Sequence, residues 1–351
     1  MSSLSNWVIP ILLCFWNAWA AAAAPAVPNL FNDAPSLTVP QIVLGRSCYS
    51  LRASYLDLDC NPAFLAGEEK ILFRANIVGN DRLNLVNNYR KQLNNDDTVG
   101  VAESLLQQNS QVIAKAASSF WYQHEWWAIG LVPVRAGVAY LRRNPAYPEI
   151  SVNAYKELEL FGKVGLFSSE DENLRVGLQT RYVNRDYIYQ RFYALDAVTD
   201  PTLVKLRHQS ALYLEPAMAY SWNAEWKPEV SWTVANLAVA QEGDHLPMQP
   251  IFDIGFSSNF LEIEGFRSTT HYAYNKNNPD MITALTWSGV YDYEDLFSTY
   301  LTLGKSLFGL GAEARWYALT FGVCYRTEQV LVDRWVAHTI SSFTFDLGLV
   351  F

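Results

Sequence analysis

The sequence predicts an all-β protein: a transmembrane antiparallel β-barrel of about 14 strands, with a separate N-terminal segment and a short helical extracellular insertion. Three observations predict it. The last nine residues alternate strictly, the N-terminus reads as an export signal, and the composition is rich in aromatics and poor in charge. Phe343, Phe345, Leu347, Leu349 and Phe351 are large and apolar, and the residues between them are Thr344, Asp346, Gly348 and Val350. Such a period of two makes a strand with one greasy face. Alone it fits a barrel or a sandwich equally.

The N-terminus shifts that balance. Trp7 to Trp19 are almost wholly apolar, too short a stretch for a helical span of about 20 residues. Ala18-Trp19-Ala20 forms an A-x-A cleavage pattern before an alanine run, so residues 1–20 read as a signal peptide. Two features are irregular: the signal carries no Lys or Arg, and Cys14 follows the large Leu13, against a lipoprotein signal. After cleavage no apolar run of helix-spanning length remains, so the mature chain is either exported and soluble or a barrel.

Aromatics make up 14% of the chain, with 12 Trp and 20 Tyr, while charged residues are 17%, against about 25% in an ordinary soluble domain. Mean hydropathy is −0.02, as expected where lipid-facing and lumen-facing residues alternate. The net charge of −9 argues against a nucleic-acid partner, which selects a basic footprint.

Residues 21–69 read as an N-terminal periplasmic segment, beginning as an extended leader with Pro25, Pro28, Pro35 and Pro40. Cys48 and Cys60 lie within it; in an oxidising compartment they either close a small loop or stay as two thiols. From 70 to 351 the chain is a succession of amphipathic strands, near 70–78, 114–125, 128–141, 150–168, 173–184, 209–222, 226–238, 248–258, 260–275, 281–292, 295–306, 308–316, 317–327 and 336–351. An even number suits a single-chain barrel with both termini on one side; boundary error leaves 12 and 16 as neighbouring counts. In several strands Gly, Arg, Glu or Asp alternates with the apolar face, as in Leu310-Gly311-Ala312-Glu313-Ala314-Arg315-Trp316. Glycine there suits crowded lumen positions and the bends that closure needs. Cys324 is expected to face the lumen as a small residue.

Residues 81–110 break the pattern and read as two helical pieces, with Val86, Tyr89 and Leu93 on one stripe and Val101, Ala102, Leu105 and Leu106 on the other. A second irregular stretch is expected at 185–208. By strand parity both lie at the extracellular end. Trp121, Tyr122, Trp126, Trp127, Trp222 and Trp226 cluster at expected strand ends and suit an aromatic girdle. The alternative is that some of them are core or pocket aromatics.

The stretch from Leu51 to Ala66 adds a second anchor. Its Asn61-Pro62-Ala63 and Leu65-Ala66 resemble the "NPAGLA" signature of the FadL/PorV-type outer-membrane barrel superfamily, with Phe64 in place of the glycine. Leu174 to Val183, Val230 to Leu237, Pro247 to Ser257 and Leu310 to Tyr325 also resemble strands of that superfamily. The resemblance implies a 14-stranded barrel whose N-terminal segment, residues 21–69, folds into or beneath the lumen as a hatch. It also implies a channel for hydrophobic or small solutes or, alternatively, a PorV/TraF-like accessory barrel for secretion, conjugation or surface assembly. No fatty-acid site carries over onto matching residues. The run ending at Phe351 likewise resembles the terminal signal that barrel-assembly machinery reads.

Chemistry is sparse. The five histidines lack metal-ligand spacing, and no G-x-S-x-G is present. No catalytic, cofactor or metal residues are assigned, and an enzyme is the least favoured reading. The expected location is the outer membrane of a Gram-negative bacterium. Its expected partners are outer-membrane lipid and lipopolysaccharide, the barrel-assembly machinery and hydrophobic small molecules.

Overall fold

The computed structural model describes residues 38–51, 60–65, 69–80, 112–143, 149–169, 173–193, 205–244, 246, 248, 250–259, 263–274, 284–294, 296–305, 307–333 and 336–351. The expected signal peptide, the helical insertion at 81–110 and Ala66 fall outside them.

Alternation builds the wall. β1 (Lys70–Gly79) turns Ile71, Phe73 and Ile77 outward and buries Leu72, Arg74, Asn76 and Val78. β2 (Val112–Gln123), β3 (Trp127–Arg143), β4 (Glu149–Ser168), β5 (Leu174–Tyr193) and β6 (Arg207–Ser221) follow as antiparallel neighbours. Next come β7 (Glu229–Ala235), β8 (Leu237–Gly243), β9 (Ile251–Ser258), β10 (Phe266–Tyr274) and β11 (Leu285–Tyr293). β12 (Phe297–Gly304), β13 (Leu307–Trp316), β14 (Leu319–Asp333) and β15 (Val336–Val350) complete the order. β1 pairs with both β2 and β15, and β5 with both β4 and β6, so the sheet closes on itself. β7 and β8 are two halves of one wall strand, which makes a 14-stranded antiparallel barrel. Up to the level of β8, closure leaves the ladder without an outer edge and satisfies the backbone within the wall.

The outside is apolar. Phe343, Phe345, Leu347 and Leu349 point outward from β15, as the alternation predicts, and Phe351 follows at 70% exposure. Among the described residues no helix is long and apolar enough to cross a membrane; a barrel crosses with its strands.

The wall is uneven. β4 and β5 are 20 residues long, whereas β9 and β12 have eight. A tilted span needs about 9–11, so β4 and β5 stand well clear of it. Their outer face marks the limit: Leu160 and Leu158 give way to Lys156, and Tyr182 to Asn184 and Asp186. The irregular stretch expected from 185 is therefore strand through Tyr193. It keeps pairing with β4 as far as Glu149 and with β6 as far as Arg207, which turns Tyr187 into the lumen.

Both described ends of the barrel wall, Lys70 and Phe351, meet on the side of the short turns, where the Ile71 and Phe351 backbones exchange two hydrogen bonds of 2.9 Å. The core is the lumen, and the N-terminal segment fills it. α1 (Val39–Leu44) is capped by Thr38 in a capping box with Gln41, and all six of its residues are buried. A helix buried on every side is a plug rather than a surface helix.

Candidate functional site

The hatch is built to fit this lumen. Strand glycines make room for it. At Gly177 a Cβ would sit 2.3 Å from the Pro62 carbonyl carbon, and at Gly311 one would sit 2.7 Å from a Val43 methyl. No side chain fits at Gly177 without moving backbone. Polar contacts then fix the register: Val39 N–H donates to Asp346 Oδ2 (3.3 Å), Arg326 Nη1 to the Ile42 carbonyl (2.6 Å), and the Ser47 and Thr286 hydroxyls meet at 2.9 Å. Arg46 pairs with Asp253 of β9, and His271 Nε2 lies 3.1 Å from the same carboxylate. Burial works against the Arg46 charge, but Asp253 more than restores it and holds the guanidinium above its ordinary range. The Tyr49 phenol is pushed up to about 12, first by burial and then by the negative charge of Glu215.

Cys48 and Cys60 form a disulfide, with Cα atoms 5.6 Å apart. Asn61 explains the motif around it. Its side chain accepts from Ala63 N–H (2.9 Å) and donates to the Tyr49 carbonyl (2.8 Å). The Pro62–Phe64 turn, capped in this way, packs Ala63 and Phe64 against Ala217 and Ala219 of β6. Leu65 packs at the edge of the Trp121–Phe161 cluster.

An alternating ladder of buried charge lines the lumen face of β3 to β6. Arg185 Nε lies 2.8 Å from Glu157 and Arg135 Nε 3.6 Å from it. Arg135 Nη1 is 3.9 Å from Glu159, and Arg181 bridges Glu159 (2.7 Å) to Glu215 (2.9 Å). A second group joins Arg74 to Glu313 and Asp346, both at 2.7 Å. Buried charges persist only when paired, because desolvation is costly. The ladder ties neighbouring strands β3 to β6 together, and the Arg74 group joins β1 to β13 and β15.

Above the ladder, Tyr155, Val183, Tyr187, Ala211 and Tyr213 form an apolar cluster with Leu246 and Met248. Beside it the wall breaks. Pro216 has no N–H to give the ladder, and near it Asn236 takes a left-handed φ of 58°. Below the break β7 pairs with β6 and β9. Above it β8 stays on β6 but has no strand on its other side among the described residues. The Asn236 N–H donates to Glu215 Oε1 (3.1 Å), and its side-chain oxygen accepts from Arg181 Nη1 (3.4 Å). The break is thus held by the charge ladder.

The aromatics expected at strand ends divide in the structure. Trp126, Trp222 and Trp226 are exposed at the short-turn end, with Tyr122 and Trp127 half-buried and packed together at 5.3 Å. Trp121 is a correction. It shares the parity of Ser119 and Gln123, is 1% exposed, and packs on Phe161 in the lumen with Lys163 over its ring. Tyr293, Trp316 and Tyr317 are exposed at the same end and were missed, because each sits at a turn too short to read as an aromatic cluster. The ladder was missed as well: in sequence its arginines and glutamates are single polar positions on separate strands. Cys324 is buried in the lumen, as expected. His124 and His208 lie near Glu69 and Asp186, at 3.2 and 2.8 Å, so each described histidine side chain lies against one carboxylate. No group of metal-binding side chains is present among the described residues.

No family model matches the chain, and no curated protein does. Among solved structures it is similar to CdiB from Acinetobacter baumannii, at 8% identity and a TM-score of 0.35 over 81% of this chain. The chain spans about 60% of the length of CdiB. It is also similar to the P. putida toluene transporter TodX, at 9% identity and a TM-score of 0.44, covering 83% of this chain and 92% of TodX. A third likeness is to the CymD monoaromatic hydrocarbon channel, at 10% identity and a TM-score of 0.45, covering 93% of this chain and 99% of CymD.

Proposed function

We propose that this barrel sits in the outer membrane of a Gram-negative bacterium and passes hydrophobic or small solutes, with the N-terminal hatch setting access. One observation carries the reading: a fitted N-terminal segment packs inside the lumen, while among the described residues β8 has no strand on its other side above Asn236, beside an apolar, tyrosine-lined cluster. A hatch seated among buried ion pairs obstructs the axis to water and ions. An apolar solute reaching the tyrosine cluster has the break between β8 and β9 as its way through the wall. The apolar outer belt and the aromatics at the short-turn end support the membrane setting.

Proteoliposomes test it. Uptake of labelled toluene should exceed that of protein-free liposomes, and bridging the break with a disulfide between β8 and β9 should abolish the excess. Uptake equal to that of protein-free liposomes would overturn the reading.

The plug also favours a second reading, an accessory barrel that docks partners for secretion, conjugation or surface assembly. Co-purification of a stoichiometric partner from detergent, together with no solute uptake, would establish it.

A further inference from the structure

One row of the upper lumen holds polar groups that the ladder does not use up. Glu157, Arg185, Gln209 and Gly243 stand opposite one another across β4, β5, β6 and β8. Glu157, Arg185 and Gln209 are at most 2% exposed. Arg185 Nη1 donates to Met248 Sδ at 3.1 Å, a weak acceptor on a flexible side chain. Arg185 Nη2 and Gln209 Nε2 have no hydrogen-bond partner among the described residues, nor does either oxygen of Glu157. The Arg185–Glu157 contact is an ion pair by distance, without hydrogen-bond alignment. Native proteins pair almost all buried polar atoms, so unmatched donors and acceptors together on one row ask for a ligand. Gly243 places no side chain beside Gln209, and the tyrosine cluster stands next to the row.

We propose that this row is a binding site for a neutral hydroxylated aromatic solute, a phenol or benzylic alcohol. The inference rests on the reading that apolar solutes enter this lumen, and it names their class. The ring takes the place of the Met248 side chain against Tyr155, Tyr187 and Tyr213. The hydroxyl oxygen accepts from Arg185 Nη2 and Gln209 Nε2, and its hydrogen is donated to Glu157. A hydroxyl is the group that answers both needs, since a hydrocarbon answers neither and a carboxylate has no hydrogen to give. Charge argues the same way. The ladder Arg185–Glu157–Arg135–Glu159–Arg181–Glu215 alternates three cations with three anions, so an anionic ligand would be buried without a counter-charge.

Equilibrium dialysis of the full-length barrel in detergent, corrected for empty micelles, tests this with toluene, p-cresol and 4-methylbenzoate. p-Cresol should bind about tenfold more tightly than toluene, the scale of one well-made buried hydrogen bond. 4-Methylbenzoate should bind more weakly than p-cresol. Gln209→Leu should shrink the p-cresol preference to about twofold or less, with gel migration checking that the variant has folded. The wild-type ratio needs no variant. Toluene bound or taken up without a p-cresol preference overturns this inference and leaves the channel reading standing. A benzoate that binds best overturns the neutral class. No binding of any of the three, with no toluene uptake, overturns both.

Discussion

Seated in the hatch, Tyr49 keeps its proton up to about pH 12; released, it ionises near 10. Between those values the seated form binds more protons than the released one, so seating weakens as pH rises through that window and is unaffected below it. Two units amount to roughly 2–3 kcal/mol. Protease cleavage of the hatch should therefore climb between pH 10 and 12 in the wild type and climb less in Tyr49→Phe; equal profiles would remove Tyr49 from the account. At the other terminus, Phe351 is 70% exposed on the membrane-facing side of the closing strand. Its side chain adds little to the core, so deleting it should cost assembly rather than stability. We expect less protein in the outer-membrane fraction with export across the inner membrane unchanged, and normal assembly of the truncated chain would count against an assembly signal.

At the scale of elements, the hatch and the strands that receive it were shaped together. Pro62 rests where Gly177 has no side chain, so Gly177→Val sets backbone against a new methyl and cannot be relieved by a rotamer change. The wall around Gly177 is unaffected, since β5 pairs through its backbone. The variant should assemble as a barrel while its 38–65 segment becomes protease-sensitive. A variant that fails to assemble at all would mean that the hatch templates the wall. Much of this level was legible in the sequence. Period-two alternation placed the wall strands, because lipid on one side and a polar lumen on the other impose it on every strand. The turn at Asn61-Pro62-Ala63 was legible as a motif, and its reason lies in the Asn61 hydrogen bonds. What stayed hidden depends on pairing between distant strands. Trp121 reads as one of an aromatic cluster until its partner strands fix its parity. Asn236 reads as mid-strand until Pro216 is found near it across the sheet. The strand from Leu174 reads as ending near 184 because its outer face turns polar there, yet it leaves the membrane at that level without leaving the sheet.

For the whole molecule, closure is the source of stability. Every wall strand is hydrogen-bonded on both sides below the break, and the lumen is bound across by buried ion pairs. Such a barrel should resist detergent until boiled. Unboiled and boiled samples should migrate differently on a gel, and identical migration would remove the closed barrel from the account. The hatch packs inside a cylinder whose wall is closed below the break. Its disulfide contributes about 2–4 kcal/mol against release by closing a short loop. Function at this scale was the least legible, because a plug and an open pore share the same wall pattern.

The most direct test is therefore electrical. Planar bilayers should be loaded with the intact chain and with a chain lacking residues 38–65, whose wall still begins at Lys70. The intact barrel should show no steady ion conductance, and the shortened one should conduct in large, stable steps. Steady conductance from the intact barrel, or silence from the shortened one, would contradict a lumen closed by its own N-terminal hatch.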